Sequence, residues 1–171
     1  MQSIRIMNSK VENIKKTRQF LLDMVSDLNT EQLNEIPAEF NNNIIWNIGH
    51  LIAAQQRICY VRSGLKITID KKYFLEYLPG SMPQRVIDAS EITTLKRLFT
   101  KTLDQFESSY KNNSFTGLNY ILFTTPYGVE IRNIEDAIDF LPYHEGLHCG
   151  YIMALKRLIV SETKEKRKAL R

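Results

Sequence analysis

Apolar residues recur at helical spacing along most of this chain. Val11, Ile14, Leu21, Met24, Val25 and Leu28 lie on one face, predicting a first helix from about Ser9 to Leu28, capped by Ser9 or Asn8. Asn29-Thr30-Glu31-Gln32-Leu33 reads as a short capped turn closed by Pro37. A second helix follows Asn41-Asn42-Asn43, any of which can serve as its N-cap, and runs to about Arg62 before Ser63-Gly64 ends it. From about Leu65 to Ala89 the pattern lapses into a long connection. Pro79-Gly80 and Pro83 punctuate it, with one helical turn expected at Tyr73 to Leu78. Ser90 is placed to cap a third helix to about Tyr110, with Ile92, Leu95, Leu98, Phe99, Leu103 and Phe106 on its inner side. The β-prone runs Asn119 to Thr125 and Val129 to Asn133 flank Pro126-Tyr127-Gly128 and predict a small hairpin. Asn133, with Glu135 and Asp136 behind it, opens a fourth helix to about Val160. Pro142 inside that helix is expected to bend it or loosen one turn.

Four long amphipathic helices define an all-α class, a four-helix bundle. The connection between helices two and three is long. At about 3.3 Å per residue it easily returns along a bundle roughly 30 Å in length, so those two helices can run parallel. The 171 residues suit one domain, and 43% hydrophobic with 25% charged residues is ordinary globular composition. The polar N-terminus lacks an apolar leader core, and no apolar run approaches the roughly 18 residues of a membrane span. The two cysteines, Cys59 and Cys149, are far apart and argue against a disulfide framework. A cytoplasmic setting without a membrane partner is the expectation. Net charge is +4, much of it in a basic tail from about Ser161: Lys164, Lys166, Arg167, Lys168 and Arg171. Such a run suits a nucleic-acid arm or a solvated helix end. The latter is the simpler reading, and no nucleic-acid partner is expected.

The candidate chemistry lies in three histidines, the total for the chain: His50, then His144 and His148 four apart. At about 100° per residue, Ala137, Phe140, Leu141, His144, His148, Tyr151, Leu155 and Leu158 form one stripe of helix four. The pair therefore points into the bundle, where each ring needs a polar partner. Hydrogen-bonded core histidines would meet that need, and so would one shared metal ion. His50 lies on the helix-two face with Trp46, Ala53, Ala54, Arg57 and Val61, and supplies a third ligand. Three neutral imidazoles leave coordination positions open, the pattern of catalytic sites. Zn²⁺ or Ni²⁺ suits such nitrogen donors best, with Fe²⁺ or Mn²⁺ as further options. His144-Glu145-Gly146-Leu147-His148 also matches the zinc-metallopeptidase signature, which would make Glu145 a general base. Against that reading, the third ligand of such enzymes lies downstream, where this chain offers only tail glutamates.

These residues carry a family resemblance. Ile44-Ile45-Trp46-Asn47-Ile48-Gly49-His50-Leu51 resembles the first signature of the DinB-like (YfiT-type) bundle proteins. His144-Glu145-Gly146-Leu147-His148-Cys149-Gly150-Tyr151-Ile152 resembles the second, and the Thr125-Pro126-Tyr127-Gly128 turn fits ahead of it. The resemblance spans nearly the whole chain in helix order. It implies an up-down-down-up four-helix bundle with a divalent metal on His50, His144 and His148. It also implies relatives that are homodimers, some of them metal-dependent S-transferases acting on a low-molecular-weight thiol and a small-molecule substrate. A glutamine often follows the glycine of the second motif, where Tyr151 stands here. A metal-binding bundle without turnover, acting in stress response, is the alternative.

Three further residues are candidate pocket walls. Arg57 lies two turns past His50 and could clamp a substrate carboxylate, or else pack its stem and turn its head to solvent. Trp46 and Tyr151 could line the pocket or simply pack in the core. Cys149 points away from His148 and reads as a small buried hydrophobe. Gly146, Gly150 and Ala154, with Leu147 and Met153 nearby, make helix four apolar on more than one side. That surface is read as a homodimer seam or as packing within the chain.

Overall fold

In the computed structural model, which describes residues 2–169, the first helix α1 spans Gln2–Met24. It starts and stops earlier than its apolar pattern suggests. Met7 is buried and extends the inner register one turn toward the N-terminus. At the other end Ser26 and Leu28 close tighter turns onto Asp23 and Val25, and Lys156 donates to the Met24 carbonyl. These bonds use carbonyls that a longer helix would need.

The short helix α2 (Thr30–Asn34) is held by a capping box. Asn29 accepts from the Gln32 N–H, and the Gln32 side chain accepts in return from the Asn29 N–H. Asn43 caps α3 (Ile44–Gln55), accepting from the Trp46 N–H at 2.8 Å. Every residue of α3 is buried, because α2, α4, α5 and α6 all cover it. The chain then widens into a π turn (Gln56–Tyr60) and tightens into a 3₁₀ turn (Val61–Ser63), leaving Val61 exposed. Gly64, at φ 75°, ends the run in the left-handed conformation that favours glycine.

Within the long connection, Asp70 caps the single turn α4 (Lys71–Leu75). Asp88, not Ser90, caps α5 (Ala89–Lys111): its carboxylate accepts from the Glu91 N–H, and the Ser90 hydroxyl donates to the same oxygen. An aspartate cap two residues earlier leaves that hydroxyl free to support it. Strands β1 (Phe123–Thr124) and β2 (Glu130–Ile131) pair antiparallel, Phe123 opposite Ile131. The hairpin is shorter than its β-prone sequence because the Ile121 N–H donates to the Arg62 carbonyl instead. Helix α6 (Ile134–Ala169) is helical across Pro142 and continues past Val160. Of the basic tail, Lys168 is exposed; the side chains of Lys164, Lys166 and Arg167, and all of Arg171, fall outside the described residues.

The molecule is predominantly helical, an all-α bundle in which α1 and α3 each pack against both α5 and α6. No helix among the described residues is long and apolar enough to cross a membrane. Two apolar clusters fill the interior. One gathers Leu21, Leu51, Phe99 and Ile152, and the other Ile14, Ala54, Leu103 and Leu141. A polar layer divides them. Arg18 of α1 is fully buried and meets Glu145 of α6 through both Nε and Nη2, the latter at 2.5 Å. Its remaining donors reach the Phe99 carbonyl, the Thr102 hydroxyl and the Leu51 carbonyl, and its plane lies 4.5 Å over the Phe99 ring. Burial raises the pKa of the Glu145 carboxyl, and the Arg18 guanidinium opposes that shift.

Candidate metal centre

The polar layer decides how the histidine pair is presented. The buried seam of α6 runs through Ala137, Leu141, Glu145, Ile152, Leu155 and Ile159. It is rotated from the expected stripe: Leu158 is exposed, Glu145 takes the middle, and His144 and His148 sit half-buried on the flank. Glu145 therefore faces Arg18 across the bundle with its carboxylate already committed. This removes the general-base role that the metallopeptidase pattern would give it.

The flank faces α3. His50 is buried there, its ring centroid 4.7 Å from that of His148 and 5.4 Å from that of His144. One ring nitrogen of each histidine lies within 4.8 Å of the others, and the three form a group that could hold a metal ion. Zn–N bonds of about 2.0–2.1 Å in a tetrahedral set place ligand nitrogens about 3.4 Å apart, so loading needs only a small inward turn of the rings.

Two of the rings have their tautomer set by neighbours. His50 Nδ1 lies 3.0 Å from the Tyr77 carbonyl, which can only accept. His148 Nδ1 lies 2.8 Å from Asn47 Oδ1. The orientation of that amide is fixed in turn, because Asn47 Nδ2 donates to the Asn43 carbonyl at 2.8 Å and to Asn42 Oδ1 at 3.2 Å. Both histidines thus donate through Nδ1 and keep the Nε2 lone pair free, the arrangement that orients imidazole ligands. His144 has no hydrogen-bond partner among the described residues, and its ring stacks on Phe140 at 5.7 Å. Burial lowers the pKa of all three: His144 to about 3, helped by its two histidine neighbours, His148 to about 4, and His50 downward too. The rings are neutral at pH 7, as metal ligation requires.

Gly49 makes the His50 contact possible. A Cβ there would lie 2.5 Å from the Tyr77 ring, so the missing side chain lets Tyr77 rest against α3 and aim its carbonyl at His50. Sequence pattern did not single out Asn47, Gly49, Tyr77 or Arg18. The available signals were a polar residue within an otherwise apolar helix (Asn47) and an arginine in the apolar register Ile14–Leu21 (Arg18).

The expected pocket residues separate. A cavity of about 460 Å³ opens onto the three histidines, with Arg57 on its wall. Trp46 does not line it. Its ring stacks on His50 with centroids 4.9 Å apart, and its Nε1 donates to Ser81. Tyr151 leans away and packs edge-on against Phe40 at 5.5 Å. Cys149 is half-buried and lies outside the histidine group. Gly146, Gly150 and Ala154 are exposed, as are Leu147 and Met153, so this side of α6 is not covered by the described residues.

A helical bundle with an inward-facing histidine triad beside an open cavity defines the class. Its sequence matches the DinB superfamily over residues 13–152, and the chain belongs to that superfamily. No curated protein matches it.

Proposed function

We propose that this chain is a divalent-metal protein holding Zn²⁺ or Ni²⁺ on His50, His144 and His148, and that it acts as a transferase on a low-molecular-weight thiol. The observation that carries the reading is the pair of acceptors, the Tyr77 carbonyl and Asn47 Oδ1, that leave two neutral rings with Nε2 free beside His144. Fe²⁺ or Mn²⁺ would meet the same nitrogen donors less well. A divalent ion bound there would lower the pKa of a coordinated thiol toward neutrality. The chain's own residues do the rest: Asn47 and the Tyr77 carbonyl orient ligands, and the apolar walls of the cavity keep water away from the reacting groups. That cavity favours turnover over a purely binding role, since a sealed site would give a substrate no access.

The same reading takes residues 1–171 as one cytoplasmic domain whose four long helices, α1, α3, α5 and α6, run up-down-down-up. The long return between α3 and α5 supports that order. A homodimer formed through the open face of α6 fits the exposed Gly146, Leu147, Gly150 and Met153. Light scattering that finds a monomer at micromolar concentration rejects the dimer.

Elemental analysis of the purified wild type and of His50→Ala, before and after reloading with zinc, tests the central claim. About one ion per wild-type chain and its loss in the variant are expected. A wild type that takes up no stoichiometric metal rejects the reading. Loss of free thiol with a small electrophile, faster in the loaded wild type than in His50→Ala, separates a transferase from a binding protein.

A further inference from the structure

The cavity over the histidines has an uneven chemistry. Its walls are largely apolar and include Phe123, Tyr127, Phe140 and Leu147. Among the described residues the charged side chains on it are Arg57 and Arg62, and no Asp or Glu lines it. Arg62 is occupied: it lies 4.8 Å over the Phe123 ring, and its Nη1 reaches the carbonyls of Leu122 and Ile121 at 3.4 and 3.5 Å. Arg57 is half-buried and makes no hydrogen bond or ion pair with the described residues. Its guanidinium carries five N–H donors in a planar fork, with no acceptor for them among the described residues.

A half-buried cation without a carboxylate beside it favours an anion over any other ligand. The three imidazoles are neutral and do not offset its charge. A cationic ligand would meet two arginines and no counter-charge. A neutral polar ligand would leave the fork's charge uncompensated in an apolar enclosure. A carboxylate matches the fork in both charge and shape.

We propose that the cavity binds a small organic anion, its carboxylate paired with Arg57 and its apolar body packed against Phe123, Tyr127, Phe140 and Leu147, beside the histidine cluster. The inference rests on the proposed function in taking this cavity as the substrate site, and assigns that substrate its chemical class. The anion's position comes from Arg57 and the walls, so its recognition does not need the metal.

The test is equilibrium binding of phenylacetate, 3-phenylpropanoate and 4-phenylbutanoate, each against its uncharged amide, to the full chain by calorimetry and ligand-observed NMR. It is run on metal-free and zinc-loaded protein. At least one acid should bind wild type about tenfold or more tighter than its amide, the size expected of a charge-assisted bidentate pair. Arg57→Gln should reduce that ratio to about two or less with and without zinc. Arg57→Lys, which keeps the charge and loses the fork, should fall between and carries the test if Arg57→Gln fails to fold. Arg97→Gln, an exposed change of equal charge on α5, should leave the ratio as it is. Absence of acid binding at millimolar concentration, an acid-to-amide ratio near one, or a ratio unchanged in the Arg57 variants overturns the proposal. An intact ratio in a protein that takes up no zinc would sink the metal reading and leave this one standing.

Discussion

At the scale of single residues, the site depends on hydrogen bonds one shell behind the imidazoles. His148 is oriented by one side-chain oxygen, Asn47 Oδ1, and that oxygen is held by two bonds from the same amide to Asn42 and Asn43. Removing such a supporting group typically weakens metal binding by about 10–100-fold. Asn47→Ala is therefore expected to lower zinc affinity by about that factor while leaving a folded bundle, as read by competition with a chromogenic chelator. Unchanged affinity would mean that His148 needs no orienting partner. His144 has no such partner among the described residues; its ring is positioned by packing against Phe140, His148 and His50.

At the scale of elements, α3 is the working helix. Its buried surface is continuous, and glycine at position 49 admits the Tyr77 ring from the connection that follows. Gly49→Ala sets two effects against each other. Alanine is the better helix former by about 1 kcal/mol, while a Cβ 2.5 Å from a ring carbon forces an overpacking cost of about 1–3 kcal/mol. The clash should win, because Tyr77 is itself fully enclosed. The expected outcome is lower stability in urea unfolding together with weaker zinc binding, since the Tyr77 carbonyl moves with its ring. A more stable Gly49→Ala protein would show that Tyr77 shifts freely and is not the fixed partner of His50. The π turn that ends α3 matters as well. Gln56, in its first position, accepts from the Thr68 N–H at 2.8 Å, which ties the widened turn carrying Arg57 to the following connection.

At the scale of the whole molecule, the Arg18–Glu145 layer joins α1 to α6 and, through the Leu51 and Phe99 carbonyls, to α3 and α5. A buried pair of this kind is poor at adding stability, but breaking it leaves an uncompensated charge. Arg18→Met is expected to destabilise the protein by about 3–5 kcal/mol, and Arg18→Met with Glu145→Leu by clearly less. Denaturant titrations of the metal-free proteins compare the two. A double variant as unstable as the single one would show that the arginine's backbone contacts, not the carboxylate, account for its burial. The layer also sets the rotation of α6: with Glu145 pinned to the middle of the seam, His144 and His148 are turned toward α3 and the cavity.

The chain by itself determined where the main helices lie to within a turn or two, caps at Asn29 and Asn133, a cap for α3 somewhere in Asn41-Asn42-Asn43, and the metal-capable set of His50, His144 and His148. These follow from local rules: a 3.6-residue period, side chains that satisfy the first N–H groups of a helix, and residues four apart sharing a face. Pattern erred where local rules compete, by two residues at the Asp88 cap and by one position in the rotation of the α6 stripe. Arg18 was hidden because a charged residue in an apolar register looks like an interruption until its partner, far off in sequence, is seen. Tyr77 and Gly49 were hidden because a close approach between a loop ring and a helix leaves no periodic trace. Tertiary structure alone decided that Glu145 serves the core rather than the site, and that Trp46 and Tyr151 stand outside the cavity while Arg57 lines it. The reason is physical. Periodicity reports which face of a helix is buried, but only packing reveals which distant groups complete the hydrogen bonds and charges that burial would otherwise leave unpaired.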